Sequence, residues 1–167
     1  GNYGVWESTS FSGVGAGAQR LSTDQFTSVG SMQFGPDGQT LFFVGQIFNS
    51  GTGITASTVY SGFPGTSAKP LDAAEDMALD PTGSRIAYTK LGAVAEIWVM
   101  NTDGSGQTQI TSDGVLDKAA PQWSIDGSQL TFIATDAGGH TDVYVMPSSG
   151  GTATNVTKNG QGACIGS

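Results

Sequence analysis

Residues 121–133 read P-Q-W-S-I-D-G-S-Q-L-T-F-I, and this stretch decides the fold. A short alternating run ends in turn residues, and a second, more apolar run follows. Asp126 can bond its own backbone and Gly127 accepts a positive φ, so the pattern favours a β-hairpin over a helix. Two similar stretches precede it, with turn glycines at Gly38 and Gly83. These three glycines are separated by 45 and 44 residues, which indicates an internal repeat.

Each repeat shows the same succession of strand-like runs. After the hairpin, a run rich in β-branched and aromatic residues follows at 57–60, 96–100 and 142–146. A polar fourth run then ends at Leu71, Ile110 or Val156. Four short antiparallel strands in about 45 residues are typical of a β-propeller blade. The sequence therefore predicts an all-β fold, a β-propeller of four-stranded antiparallel blades.

The N-terminal segment matches the second half of a repeat. Residues 5–7 resemble a third strand, and Leu21 precedes Gly38 by 17 residues, as Ile110 precedes Gly127. We therefore predict three full repeats plus an N-terminal half blade, an incomplete ring on its own. The predicted division is 1–26 for the half blade, 27–72, 73–117 and 118–158 for the blades, and 159–167 for a tail.

Together with the runs I-W-V-M-N-T-D-G at 97–104 and D-V-Y-V-M at 142–146, the 122–132 stretch resembles the TolB-type, WD-like β-propeller repeat. The resemblance covers residues 27–158 as full repeats and 4–26 as a half. It departs from the pattern at Ile125, which stands in place of the turn proline, and in the longer link between Val44 and Val59. Proteins with this repeat include the periplasmic component of the Tol-Pal system, the propeller parts of prolyl-oligopeptidase-like peptidases, and secreted proteins. Because one fold hosts many chemistries, the resemblance implies architecture more than function.

Composition excludes several classes of partner. The net charge of -8 has the wrong sign for binding nucleic acid. The longest apolar runs have four residues, far short of the ~20 that span a bilayer, so no membrane span is predicted. Cys164 is the only cysteine, which leaves no intrachain disulfide. A charged fraction of only 12% with 26 glycines fits a periplasmic or extracellular protein better than a cytosolic one.

Candidate catalytic and metal-binding residues are scarce. His140 is the only histidine, and no G-x-S-x-G nucleophile motif occurs, so the sequence predicts no enzyme activity. Oxygen ligands cluster at 80–83 and 101–105, but neither stretch has the spacing of a calcium loop, and both fall where the repeat places a turn. We therefore expect no catalytic residue, no cofactor and no metal.

Strand connectivity predicts a docking surface. In an antiparallel meander, the links between second and third strands share a face with the links between blades. Binding functions concentrate on such loops, so this face is the candidate partner-binding surface. Its charged residues are Asp72, Glu75, Asp76, Asp113, Asp117, Lys118, Asp136 and His140, with Asp24 nearby. Tight turns on the opposite face hold Asp37, Asp103 and Asp126. A solvated acidic rim is the alternative interpretation.

The predicted blades leave surfaces that favour association. The half blade has an open inner edge, and the third blade has an uncovered apolar face. We therefore hypothesise a non-enzymatic scaffold that binds a protein partner or further copies of itself, as a homo-oligomer or as part of a longer chain. One alternative is the propeller portion of a prolyl-oligopeptidase-like peptidase. Another is a carbohydrate-binding propeller, with Phe48, Tyr60 and Phe63 around an exposed loop.

Repeated aromatic positions have a structural interpretation. Trp6, Trp98 and Tyr144 occupy one repeat position, and Phe34 and Trp123 occupy another. Such large side chains are expected to pack between adjacent blades.

Overall fold

The computed structural model describes residues 6–7, 19–20, 26–49, 51, 53–54, 57–63 and 66–158. The chain divides into two compact units, Gly1–Ala74 and Glu75–Ser167. The described residues form strands and turns without a helix, so none of them provides a helix that could cross a membrane. Cys164 and Asp24 lie outside the described residues.

The first unit contains one blade and a separate strand pair. Its strands are β1 (Trp6–Glu7), β2 (Gln19–Arg20), β3 (Phe26–Phe34), β4 (Leu41–Asn49), β5 (Gly53–Ile54), β6 (Thr58–Gly62) and β7 (Lys69–Ala73). The blade has the strand order β3-β4-β6-β7, and among the described strands β1 pairs only with β2. The long link of this repeat is itself partly a hairpin, because β4 runs on to Asn49 and pairs with β5.

The second unit contains two blades. Their strands are β8 (Asp76–Leu79), β9 (Arg85–Lys90), β10 (Glu96–Asn101), β11 (Thr108–Gln109), β12 (Asp117–Trp123), β13 (Gln129–Thr135), β14 (Thr141–Pro147) and β15 (Thr154–Asn155). Each sheet follows chain order, β8 to β11 and β12 to β15, and every pairing is antiparallel. The predicted four-stranded antiparallel sheets are confirmed.

The hairpin turns have the predicted chemistry. The φ angles of Gly38, Gly83 and Gly127 are 65°, 70° and 70°, a region that other residues adopt only at a cost. In the third turn, Gly127 N donates to Ser124 O at 2.9 Å, and Asp126 Oδ1 accepts from Ser128 N at 3.0 Å. The pKa of Asp126 is about 2, because its carboxylate accepts hydrogen bonds from the hydroxyl of Ser124 and from the amide and hydroxyl of Ser128.

Strand register confirms the half-blade alignment at the described residues. One aromatic residue of each third strand lies opposite a fixed position of the fourth strand. These Cα partners are Trp6 with Arg20, Tyr60 with Pro70, Trp98 with Gln109, and Tyr144 with Asn155. In each case the fourth-strand residue comes directly before Leu21, Leu71, Ile110 or Val156. The short pair β1–β2 therefore has the register of the outer half of a blade.

An irregularity recurs in two first strands. The register of β3 shifts between Gly30 and Gln33, and that of β12 shifts between Ala119 and Gln122. Within these bulges Ser31 and Ala120 have φ of 43° and 52°, although neither is glycine. Both residues stand seven positions before their turn glycine. The bulge thus occurs at the same repeat position in two of the three full blades, and strand periodicity did not predict it.

A cross-strand aromatic pair forms the centre of each full blade. The Cα partners are Phe43 with Tyr60, Tyr88 with Trp98, and Phe132 with Tyr144. Stacked rings are found in the first and third pairs, with centroids 5.5 and 5.7 Å apart. Such pairs stabilise the contact between adjacent strands beyond the area they bury.

The two blades of the second unit pack through one apolar core. Ala87, Ile97 and Val99 of one blade meet Leu130, Phe132 and Met146 of the next. Trp123 extends this joint, since its Nε1–H donates to Ala78 O at 3.0 Å. This agrees with the predicted packing of Trp123 between blades.

Phe34, at the same repeat position as Trp123, behaves differently. Its side chain is 48% exposed, so the prediction that it packs between blades was wrong. Trp123, at the end of β12, contacts β8, the first strand of the preceding blade. The pair β1–β2, which precedes Phe34 in the chain, corresponds only to the two outer strands of a blade. Among the described residues, no inner strand precedes β3 and could offer Phe34 the same cover.

Candidate functional site

Several links of the second unit lie on one face, which we call the loop face (residues 91–95, 110–118 and 136–140). Leu116 and His140, from two different links, line the same small cavity. The third link, residues 91–95, lies beside the link 110–118. The N–H of Ala95 donates to Asp117 Oδ1 at 2.9 Å, and its carbonyl accepts from Lys118 N at 3.0 Å. The predicted grouping of links between strands with links between blades is therefore seen in this unit.

A buried cluster of charges lies beneath the loop face. The side chain of Lys118 is only 1% exposed, and its Nζ lies 3.1 Å from Glu96 Oε2. The same ammonium contacts Asp113 Oδ1. Glu96 also accepts hydrogen bonds from Thr111 Oγ1 and from Gly114 N, the latter at 3.1 Å. Burying these charges is tolerable because each is paired and hydrogen-bonded.

Asp113 connects the buried cluster with solvent. Its side chain is 49% exposed, and Oδ1 accepts from Val115 N at 2.9 Å and from Leu116 N at 3.2 Å. Partial burial by itself would raise the pKa of Asp113. The hydrogen bond from Lys118, the two backbone amides and the positive charge together outweigh burial, so the pKa lies below its usual value. Asp113 is therefore ionised at neutral pH.

Asp136 and His140 close the link between β13 and β14. Asp136 Oδ1 accepts from Gly138 N at 2.8 Å and from His140 N at 2.9 Å, and Oδ2 lies 3.1 Å from His140 Nδ1. The backbone and ring of His140 lower the pKa of Asp136. Within the part of the chain that the structure describes, the His140 ring bonds to Asp136 alone.

The remaining predicted site residues do not join this cluster. Asp72 lies within β7 of the first unit and accepts from Ala73 N, and Glu75 is exposed. Asp76 is the first residue of β8, and its Oδ2 accepts from Ala120 N at 2.6 Å. The other oxygen, Oδ1, is buried and meets no donor among the described residues. Asp76 thus supports the bulge of the neighbouring first strand.

One predicted partner-binding residue must be corrected. Lys118 was expected to project from a loop, but it lies within β12 and is almost completely buried. A side chain 1% exposed cannot meet a partner, so its role is to neutralise Glu96 and Asp113. Tyr60 needs a similar correction, because it is 6% exposed in the first-unit core and cannot stack on a sugar.

Sequence reasoning missed two buried acids. Glu96 is the first residue of β10 and Asp142 the second of β14, and both are 7% exposed. Each accepts a hydrogen bond from the threonine that follows the fourth strand, Thr111 or Thr157. The same threonine hydroxyls accept from Ile97 N at 2.9 Å and Val143 N at 3.0 Å. An acidic residue followed 15 positions later by a threonine occurs in both repeats, and this recurrence could have revealed the two buried acids from the sequence.

A groove opens beside the loop face over the ring of Tyr144. It consists of two cavities of about 510 and 140 Å³ that share Leu116 and Tyr144. Phe132 and Met146 form part of the floor of the larger cavity, and Asp113 lies at its rim. Asp136, His140 and Asp142 line the smaller one. In the described residues, no three carboxylate, imidazole or thiol groups are placed to hold a metal ion.

The repeats match known proteins. Over 44 residues, 26% of this chain, the sequence is 50% identical to the Tol-Pal system protein TolB of Anaeromyxobacter dehalogenans, of which it covers 10%. A solved structure of TolB from Agrobacterium tumefaciens superimposes with a TM-score of 0.67 at 20% identity, covering 84% of this chain and 50% of that one. The chain thus carries repeats similar in sequence to part of TolB, and it shares the propeller fold. The predicted propeller fold is thereby confirmed.

The sequence also matches a relative of another kind. The chain is 33% identical over 84 residues to the uncharacterized peptidase YuxL of Bacillus subtilis, a match that covers 46% of this chain and 13% of that protein. No protein-family model matches the chain. The chain thus covers only about a tenth of the length of each of these two relatives.

Proposed function

We propose that the chain is a non-enzymatic propeller scaffold of an exported protein, which binds a protein partner or further copies of itself. One observation carries this proposal, the difference between two equivalent second strands. Residues Ile86 to Thr89 of β9 are all buried, whereas β13 buries only alternate residues. The blade β12–β15 therefore packs on one face and leaves the other to solvent.

The exposed face of this blade, which we call the end face, carries an apolar patch. Ile133, Val143 and Val156 contribute to it and are 36%, 38% and 59% exposed. Adjacent β-branched side chains on a regular sheet form a surface to which another sheet can pack. A second copy, or a blade from a partner protein, is the occupant that this shape and chemistry favour.

The acidic residues of the loop face supply a second surface for a protein partner. Asp113, Asp117, Asp136 and His140 keep side-chain atoms accessible around a rigid framework of strands. Asp72, Glu75 and Asp76 remain candidates on the basis of their sequence position, and Lys118 acts from beneath by holding Asp113. An exported, periplasmic or extracellular setting fits the TolB likeness and the low charge content.

The second candidate function is the non-catalytic propeller portion of a prolyl-oligopeptidase-like peptidase. The match to a peptidase of Bacillus subtilis supports it. A peptidase domain encoded in the same precursor would decide for this alternative. A carbohydrate-binding propeller is less favoured, since Tyr60 is buried.

The scaffold proposal is tested by light scattering after size-exclusion chromatography. We expect the wild-type chain to self-associate at micromolar concentration, and Val143→Lys to shift it toward monomer. Ile125→Lys is the matched control, because Ile125 is 95% exposed in a turn. A wild-type chain that stays monomeric over this concentration range would refute self-association. Equal effects of the two variants would show that the end face is not the surface through which the chain associates.

A further inference from the structure

The third-strand aromatic residue is covered differently in each blade. In the first blade the ring of Phe26 lies edge-on against Tyr60 and Phe43, with centroid distances of 5.1 and 5.2 Å. Gly45 makes room for it, because a Cβ there would lie 2.8 Å from Phe26 Cδ1. The chain itself therefore fills the space over Tyr60.

In the second blade the cover is a cation. Lys90 occupies the position of Gly45, seven residues after the turn glycine in both repeats. Its Nζ lies 5.0 Å from the centroid of the Trp98 ring. A cation over an aromatic face is attracted by the negative charge density of the ring. Here too the blade covers its own aromatic residue.

In the third blade the equivalent position is Ala134, and a methyl group replaces the lysine. The groove over Tyr144, about 510 and 140 Å³ in its two parts, lies at this place. Its apolar surface comes from Leu116 and Tyr144, and one face of the Tyr144 ring stacks on the buried ring of Phe132. A cavity of about 390 Å³ also borders Trp98 in the second blade, but Lys90 lines it. The third blade thus differs from the other two because, among the described residues, neither a second ring nor a lysine lies over its third-strand aromatic residue.

The charges around the groove select the kind of occupant. Asp113, Asp136 and Asp142 line it, and the pKa values of Asp113 and Asp136 are lowered, which keeps both carboxylates ionised. The nearby ammonium of Lys118 is buried and already paired with Glu96 and Asp113. The ring of His140 also lines the groove, beside Asp136. An aromatic face bordered by carboxylates favours a planar cation, and guanidinium can stack on a ring while it pairs with a carboxylate.

We propose that the groove over Tyr144 binds an arginine side chain of a protein partner. The inference rests on the proposed role of the chain as a protein-binding scaffold, and it names the chemistry of one contact. Arginine in this groove takes the place that Lys90 has over Trp98. The aliphatic part of the side chain lies against Leu116, and the guanidinium meets the acidic rim.

The test uses a blocked peptide, acetyl-Gly-Ala-Arg-Ala-Gly-amide, titrated into the full chain and followed by NMR. A peptide with citrulline in place of arginine is the control, because it keeps the shape and removes the charge. We expect amide shifts at Leu116 and Tyr144, and an affinity about tenfold lower for the citrulline peptide. Equal affinity of the two peptides, or no shift at these residues at millimolar peptide, would overturn the proposal.

Ala134→Lys provides a sharper test, because it restores in the third blade the cation that Lys90 supplies in the second. We expect this variant to lose binding of the arginine peptide, while Ile125→Lys, with the same charge change in an exposed turn, keeps it. Since Ala134 is 2% exposed and the variant could misfold, Tyr144→Leu is measured as well. We expect about tenfold weaker binding from it. Unchanged affinity in folded Ala134→Lys or in Tyr144→Leu would overturn the proposal.

Self-association through the end face is measured separately and does not involve Ala134. A chain that self-associates but does not bind the arginine peptide would refute this inference and leave the scaffold proposal standing. A chain that binds the peptide and stays monomeric would support this inference and refute self-association.

Discussion

Lys118 Nζ lies 3.1 Å from Glu96 Oε2, in an ion pair that joins the first strand of one blade to the third strand of the preceding one. Neither side chain is more than 9% exposed, so both charges have given up most of their hydration. A buried pair of this kind contributes little compared with an apolar pair of the same size. Breaking it from one side, however, leaves a charge without compensation.

Lys118→Met is expected to lower the free energy of unfolding by about 3–5 kcal/mol, because Glu96 is left charged and buried. The double variant Lys118→Met with Glu96→Gln should recover much of the loss. Urea denaturation followed by tryptophan fluorescence measures both. Lys69→Met, at an exposed position of β7, is the control and should change stability little. A double variant as unstable as Lys118→Met would show that the charge of Glu96 is not the cause.

Stability should fall at acidic pH, and Asp126 should account for part of the loss. The pKa of Asp126 is about 2 in the folded chain, below the usual value of 3.8. A depressed folded pKa stabilises the fold above the unfolded pKa, and this contribution is lost as pH falls from about 4 to about 2. Asp126→Asn, which keeps a side-chain acceptor, should therefore show a weaker pH dependence of unfolding over this range. An identical pH profile in both proteins would contradict this assignment.

Gly45→Ala should destabilise the first unit by about 1–3 kcal/mol, since its Cβ would lie 2.8 Å from the buried ring of Phe26. Thermal unfolding of the variant measures the loss. Gly30→Ala is a matched control in the partner strand, because a Cβ there meets no atom within 4 Å. Adding Phe26→Leu to Gly45→Ala should relieve part of the strain, and failure to do so would place the conflict elsewhere.

Trp123→Phe should cost about 1–3 kcal/mol, because Ala78 O loses its hydrogen bond from Nε1. The guanidinium carbon of Arg85, 4.5 Å from the centre of the Trp123 ring, loses part of its contact as well. Phe34→Leu is a control at the same repeat position, where 48% exposure predicts a change below about 0.5 kcal/mol. Urea denaturation measures both variants. Similar losses of unfolding free energy would mean that the contact of Trp123 with the preceding blade adds nothing to stability.

The sequence predicted the parts of the fold that depend on local chemistry. Gly83 and Gly127 identify the turns because only glycine adopts their φ without cost, and the aromatic residue of each third strand fixes the strand register. These signals recur at the repeat spacing, so a single sequence is enough to find them. The half blade followed from the same spacing at Leu21 and Ile110.

The site depended on contacts that local patterns do not encode. Lys118 has the charge of a loop residue, yet its place opposite Ala134 in the sheet directs it under the loop face. Nothing within five residues of it indicates that Glu96, 22 positions away, is its partner. The exposure of Phe34 likewise depends on a neighbouring strand and not on its own repeat. Sequence reasoning therefore located the acidic face but not which of its charges are buried.

Within the described chain, the bond between Lys118 and Glu96 also gives the joint between the last two blades a chemistry of its own. Val29 and Ala74, which stand nine residues before their turn glycines as Lys118 does, carry no charge. The repeats are therefore not interchangeable modules, although they share one outline. A gene in which the second and third repeats were exchanged would separate Lys118 from Glu96 and leave Glu96 without its ammonium partner. The order of the repeats, as well as their number, is therefore set by specific contacts between neighbouring blades.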